Sequence, residues 1–600
     1  FYPLLIPHRS KPKGYRKLEK TYEVGGNRPS ALRDGFTSKK IPEDVDFVVV
    51  GSGVSGLVTG AVLSRVGKKV VVLEQHYLAG GCMHCFEEKG FEFDTGLHYM
   101  GRITKYGGLL SLAADKDIKF ARLGNEENGW TYDKIVVNGA KDFDMRGDER
   151  KFEEDLKARF KDSPQDVERV FKALRGSLED GYPFLLRMIP KWLVRPLVFL
   201  AKQNGWFGLA AKTASEVIGS LTTNNKIKAV LLGTTGDEGG SPDKNCWLIR
   251  KGILRHYISE GGFYPVGGPS EITKALIASI EKAGGRVLVR ANVEQILVEG
   301  GRATGVVVKK GSSGGVRVMA KEGVVSAVGT SVLYKKLLPP SLCKPGLTAI
   351  SKLRPSAQHI SVFVGLKKPK SELKLPSYNY WVLPNMDVKT GKYFSPMESD
   401  LKDYDPMSIP PMAFMGFPSA KDPSWEGRHP AKSVCCIITE APYDYFEAWA
   451  AQRSGRREAN YNAIKEKIGK RLVDEILLRF HPELKDAIEF VEVGTPLSSE
   501  FYLGSEKGSS YGIAPDSDRF YDPDCINTLR PDTNVSGLWI TGQDIATAGI
   551  AGGIAAAYIT ASAILGYGLV ETMAKRGLVD DMKKISSVEK LRKDKRIKLV

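Results

Sequence analysis

Cysteine is scarce, seven in 600 residues. The number is odd and the spacing irregular, which excludes a disulfide framework. Long apolar runs are also missing: no stretch reaches the ~20 residues that a helical membrane span needs. Histidine is limited to eight. The densest potential ligand cluster, Cys82-Met83-His84-Cys85, has no second paired cluster to complete a tetrahedral site, so no metal centre is expected. No internal repeat is evident, and the body of the chain lacks a charge excess. The net charge of +17 comes from 87 Lys+Arg against 70 Asp+Glu, but residues 1–40 and 571–600 together supply 12 of the 17. A nucleic-acid binder carries its excess on a folded face, so no nucleic-acid partner is expected. The basic ends suit an anionic surface or a larger membrane assembly. With Phe1 in first place, the chain reads as a processed or trimmed product, and no compartment can be read from its start.

What is present is globular: 42% apolar and 26% charged residues, too long a chain for one ordinary core. The 63 glycines gather in pairs and triplets, which suits close backbone approach to a ligand. Residues 1–45 read as a basic arm. Phe47-Val48-Val49-Val50 has the continuous apolar character of a buried parallel strand. A glycine turn, a helix to about Val66 and a second strand from Lys69 to Glu74 complete a βαβ unit. The expected fold is α/β: a discontinuous Rossmann-like dinucleotide domain built from 46–130, 283–330 and 511–568, with a mixed α+β substrate domain over 331–510. Residues 131–282 read as a helical, substrate- or membrane-facing part, and 569–600 as a basic tail.

Gly51-Ser52-Gly53-Val54-Ser55-Gly56 matches G-x-G-x-x-G between strand and helix. The first glycine permits the turn, the second admits a pyrophosphate, and the third lets helix and strand pack closely. Unpaired N–H groups at the helix start face the anion. Glu74, ending the second strand, can accept from ribose hydroxyls, and its charge would repel a 2′-phosphate, favouring FAD or NAD over NADP. A second glycine pair, Gly80-Gly81, suits a pyrophosphate and ribityl arm. Far downstream, Trp539-Ile540-Thr541-Gly542-Gln543-Asp544 is strand, turn and acid, followed by Gly549, Gly552 and Gly553 leading a helix. Asp544 is placed to accept from a ribityl hydroxyl, or else simply caps that helix.

Together LEQHYLAGGCMHCF from Leu73, FEFDTGLHYMGR from Phe91, GGFYPVGGPSEI from Gly261 and WITGQDIATAGIAGG from Trp539 resemble the retinol saturase (all-trans-retinol 13,14-reductase) family. That family sits with the carotenoid isomerases and phytoene desaturases among FAD-dependent oxidoreductases of amine-oxidase-like fold. The resemblance spans roughly 45–330 and 500–566. It implies FAD held by Gly51, Gly53, Gly56, Glu74, Gly81 and Asp544, with Gly80, Val293, Gly542 and Gly552 as further expected contacts. It also implies an apolar polyene substrate and membrane association, in the endoplasmic reticulum or, as in plant and algal relatives, a plastid. Tyr264, His98, Tyr99 and Glu238 are the candidates for lining the reacting space. No second fingerprint marks a nicotinamide site, so NAD(P)H is considered only as a diffusing electron donor.

Three stretches stay open between a functional and an ordinary reading. Gly261–Gly268 is either a wall against flavin and polyene or a turn before a helix starting near Pro269. Residues 182–212 carry Trp192, Phe199 and Trp206 among Arg187, Lys191, Arg195 and Lys202. They suit a bilayer interface or a buried lid, with Pro190 and Pro196 barring one straight helix. The Cys82/Cys85 pair is either packing or a redox pair beside the flavin.

Overall fold

The computed structural model describes residues 31–138, 141–175, 186–205, 207–310, 314–387, 405, 407 and 412–566. Most of the expected arm, the C-terminal tail and Trp206 lie outside the described residues.

A five-stranded parallel sheet is assembled from three distant parts of the chain, in the order Leu538–Ile540, Gly323–Ser326, Phe47–Val50, Val70–Leu73, Arg286–Leu288. Phe47–Val50 lies at its centre, with Val48 in register between Val324 and Val71. All four residues of this strand are buried, because helices cover one face of the sheet and the three-stranded sheet Val293–Glu299, Arg302–Lys309, Gly315–Met319 covers the other. That is why its sequence runs apolar without alternating. The helix Val54–Arg65 is buried along nearly its whole length and packs against both Ser270–Lys282 and the closing helix Gly549–Ile564. Small residues make this fit: a Cβ added at Gly553 would meet Val54 Cγ1 at 2.5 Å.

Part of the expected arm belongs to this domain. Phe36 N–H donates to the Val289 carbonyl and Val289 N–H to the Asp34 carbonyl, both at 2.8 Å, so residues 34–36 line the sheet edge. The expected boundaries of the middle part also shift. Thr131–Asn138 and Phe143–Arg146, expected in a helical region, are strands of a second, seven-stranded sheet, ordered Ile488–Gly494, His359–Leu366, Ser433–Glu440, Ala413–Gly416, Asn379–Asp387, Thr131–Asn138, Phe143–Arg146. The join is the parallel pair Asn379–Asp387 with Thr131–Asn138, a pairing over some 250 positions that no local pattern announces. Ser270–Lys282 goes the other way, onto the dinucleotide domain.

Helices do fill 149–232 in large part: Glu149–Arg159, Pro164–Leu174, Lys191–Gln203, Ala214–Leu221 and Asn225–Leu232. Pro196 sits inside Lys191–Gln203, and Pro190 immediately precedes it. One helix therefore forms despite the proline, at the cost of the bond that its N–H would have made to the Trp192 carbonyl.

Candidate active site

One continuous cavity of about 1040 Å³ opens at the carboxyl ends of the parallel strands. It is bordered by Val50 and Gly51, Leu73 and Glu74, Ala327–Gly329 and Gly542–Asp544, each at or just beyond the end of a strand. Open α/β sheets bind ligands at this position. From there it runs to the large sheet, where Trp381, Met412, Phe414 and Ile438 form its far end.

The strand-end half is shaped for a dinucleotide. Gly51 has φ +99°, a left-handed value that a side chain disfavours. Gly56 lies behind the loop, and a Cβ there would collide with the Gly51 carbonyl. A Cβ at Gly53, Gly542 or Gly549, in contrast, meets nothing within 4 Å; these glycines border open space, the imprint of a long ligand. Glu74 Oε2 accepts from the Ser52 N–H at 2.9 Å and the Ser52 hydroxyl at 2.7 Å, and Oε1 from the His76 N–H at 2.8 Å. Its carboxylate is thereby locked at the cavity wall with lone pairs left over for a ribose. Asp544, 2% exposed, holds two loops together: Oδ2 accepts from Thr330 N–H at 2.8 Å and Oδ1 from Ile513 N–H at 3.0 Å. It joins Gly51 and Gly53 around the same cavity from nearly five hundred residues away. Gly81 and Val293 also line it. The residues present fit FAD: a turn for the pyrophosphate, a carboxylate at each end, and unfilled volume between.

The far half is aromatic above a buried polar floor. His98 and Tyr99 line the cavity. Neither ring nitrogen of His98 has a hydrogen-bond partner among the described residues; Nδ1 lies 3.8 Å from Asp94 Oδ2, and burial lowers the pKa of the ring. Tyr99 stacks on Tyr257 at 4.7 Å and donates to Asp133 Oδ2 at 2.8 Å. Asp133 also accepts from Asn379 at 2.8 Å and from Trp381 Nε1 at 3.1 Å. Burial pushes its carboxyl up to about 7 against the pull of those donors. Lys421 Nζ donates to the His98 carbonyl at 3.0 Å, and burial lowers it to about 8.

Several expected site residues lie elsewhere. The Tyr264 hydroxyl donates to Asp94 Oδ1 at 2.7 Å; it supports the floor from behind and does not border the cavity. Glu238 is fully buried and pairs with Arg250 at 2.7 Å, with Asn245 donating at 3.2 Å. Its neighbour Asp237 takes the cavity position instead. Gly80 and Gly552 also stand back from the wall: a Cβ at Gly80 would meet Thr273 Oγ1 at 2.7 Å, and one at Gly552 would strike the Thr547 carbonyl. None of 261–268 borders the cavity; Phe263–Pro265 pairs with Phe120–Arg122 and Ser270–Lys282 follows, so the helix-start reading holds. Cys82 is exposed to the cavity, and desolvation by the protein around it raises its thiol to about 11, the opposite of an activated thiolate. Asp133, Asp237, Trp381 and Lys421 escaped the sequence reading. Asp237 was the most accessible of them, adjacent to a residue already singled out in Gly236-Asp237-Glu238-Gly239.

Fold and cavity define an FAD-dependent oxidoreductase. A profile described as a NAD(P)-binding Rossmann-like domain matches residues 49–115, and one described as an FAD binding domain matches 212–345. The cyclohexylamine oxidase of Brevibacterium oxydans superimposes with a TM-score of 0.54 at 15% identity, over 87% of this chain and 99% of that one. This places the fold among the amine-oxidase-like flavoproteins. The human all-trans-retinol 13,14-reductase is 33% identical over 90% of this chain and 88% of its own length. The chain belongs to the all-trans-retinol 13,14-reductase family. A Danio rerio relative named an inactive all-trans-retinol 13,14-reductase is 32% identical over 90% of the chain and 88% of its own. A chloroplastic prolycopene isomerase 2 of an Oncidium hybrid cultivar is 26% identical over 79% and 76%.

Proposed function

We propose that the protein saturates one carbon–carbon double bond of an apolar, retinoid- or carotenoid-like polyene. The observation that carries this reading is the continuity of the cavity, from the glycine loop and Asp544 to an end walled by Tyr99, Trp381, Met412, Phe414 and Ile438. Such a space suits a flat conjugated chain, which would leave its water behind while aromatic faces fix its orientation. Gly51, Gly53, Gly81 and Glu74 would hold the adenosine and pyrophosphate of FAD, and Asp544 its ribityl arm. Reduced FAD supplies hydride; the chain supplies orientation, dryness and the proton. NAD(P)H is proposed as the diffusing source of the reducing electrons.

The polyene is taken from a membrane surface. Helix Lys191–Gln203 is apolar on two sides. Val194, Val198 and Ala201 face the core, whereas Trp192 is 75% and Phe199 62% exposed, with Leu200 beside them. Exposed Trp and Phe on a surface helix suit the headgroup region of a bilayer. Arg187 does not share that role: it is buried, donating to the Ile545 and Arg519 carbonyls. Among the described residues no helix is long and apolar enough to cross a membrane. The proposed setting is the endoplasmic reticulum, with a plastid as the alternative, and the basic ends dock to the same surface or to an assembly on it.

The test is to purify the full chain, look for a flavin spectrum, reduce it with dithionite and add retinol or a carotenoid. Flavin reoxidation with a product heavier by two hydrogens is expected. An unchanged mass with altered geometry would favour an isomerase, the activity in the name of the Oncidium relative. Bound flavin that no polyene reoxidises would favour a flavoprotein without turnover, as the name of the Danio relative describes.

A further inference from the structure

The saturation needs a proton as well as a hydride, and the cavity offers few groups able to give one. His98 lies at the wall, but burial keeps its ring neutral at neutral pH, with no charge partner closer than 3.8 Å. The Tyr99 hydroxyl is turned to Asp133 at 2.8 Å, and burial raises it well above the usual tyrosine value. Lys421 points its ammonium at the His98 backbone carbonyl. Asp237 differs from all three. It lines the cavity on the short turn Thr235–Glu238, next to Gly236, where an added Cβ would lie 2.9 Å from Trp381 Cζ3. Its carboxyl accepts a hydrogen bond from Tyr257, whose ring stacks on Tyr99 at 4.7 Å, and so stands at the aromatic end, where the polyene is placed.

We propose that Asp237 is the catalytic acid of this polyene reduction, an inference that rests on the functional reading above. The carboxyl O–H bond breaks as the new C–H bond forms at one alkene carbon, and the electron pair of the broken bond stays on the carboxylate. The other carbon takes hydride, with both reducing electrons, from reduced flavin. Water returns the proton to Asp237 once product has left.

Every element packed around Asp237 contributes to its protonation. Burial pushes the carboxyl up to about 6, and the Tyr257 hydrogen bond and the Arg250 charge pull it back. Arg250 is largely spent on Glu238. Asp133 lies close enough for the Asp237 charge to raise it further, and Tyr99, Tyr132 and Tyr511 also feel that charge. Two such carboxyls, Asp133 buried and Asp237 half-buried at the cavity wall, cannot both ionise freely, so one retains a proton near neutrality. A general acid works best with its pKa close to the working pH.

Two measurements on the flavin-loaded full chain test this. In an infrared titration, the carbonyl stretch of a protonated carboxylic acid should be present at pH 5, decline through about pH 6, and lose amplitude in Asp237→Asn. In rapid mixing of dithionite-reduced protein with polyene, Asp237→Asn should slow flavin reoxidation by about a hundredfold or more, with flavin affinity and dithionite reduction unchanged. Asp237→Glu should recover part of the rate with a displaced pH profile. Should Asp237→Asn fail to fold, the wild-type titration and Asp237→Glu decide the matter. An Asp237→Asn rate within a few-fold of wild type, or an infrared band indifferent to the substitution, overturns the assignment. If wild-type protein reduces no polyene at all, the functional reading falls, which is a different result.

Discussion

Neighbouring residues in this site answer to different physics, and substitution should separate them. Gly53 borders open cavity and Gly56 touches the Gly51 carbonyl. Gly53→Val should leave the melting temperature nearly unchanged yet weaken FAD binding about tenfold or more, since overfilling costs ~1–3 kcal/mol. Gly56→Val should lose the fold along with the flavin. Thermal melts and flavin titration check both. Glu238 and Asp237 make a second contrast. Glu238→Gln leaves Arg250 without its ionic partner at a fully buried site and should destabilise the protein by about 3–5 kcal/mol in denaturant unfolding, whereas Asp237→Asn should spare stability and strike turnover. Asp133 adds a pH dependence. Its folded pKa is raised to about 7 from an ordinary value near ~3.9, so its contribution to stability is complete below about pH 4 and is lost as pH rises through about 7. The buried His98 and His359 are shifted downward and act in the opposite sense, but equally in wild type and variant. Wild type should therefore lose stability relative to Asp133→Asn between pH 4 and 7 in parallel melts; a constant difference would refute the assignment.

At the scale of elements, the helix Lys191–Gln203 makes the sharpest prediction. Trp192, Phe199 and Leu200 are exposed and can be changed without opening the core. Replacing all three by Ser should abolish sedimentation with phosphatidylcholine–phosphatidylserine vesicles, because each apolar side chain buried in lipid contributes roughly 1.5–3 kcal/mol. The melting temperature should barely move, as is usual for surface changes. Unaltered vesicle binding would assign membrane contact to another surface. The same scale explains what was readable in the sequence. Phe47–Val50, Val54–Arg65 and Val70–Leu73 announce themselves because apolar runs and a spaced glycine motif are local signals. The seven-stranded sheet does not, because Thr131–Asn138 finds its partner only at Asn379–Asp387. Glycines could be assigned to the loop but not sorted between wall and packing: Gly53 and Gly552 look alike until the space beside each is known. Tyr264 and Glu238 carried the right chemistry on the wrong side of the wall, since neither direction nor ion pairing is written in spacing.

The molecule as a whole is tied together by its ligand site. Three segments, around Gly51, Val328 and Asp544, border one cavity, so FAD should stabilise all of them jointly. At a hundredfold excess over Kd, the expected gain is about 2.7 kcal/mol, visible as a raised melting temperature and as slower proteolysis of both halves of the chain. Protection of residues 46–130 alone would contradict a shared grip. This assembly also sets an order of events during biosynthesis. The strand Phe47–Val50 leaves the ribosome well before Leu538–Ile540 and Gly549–Ile564 and waits for them before its surroundings are complete. The nascent chain must keep a very apolar strand from wrong partners while nearly five hundred further residues are made, and a chain cut short before Leu538 should yield no yellow protein, however much of the glycine loop it carries.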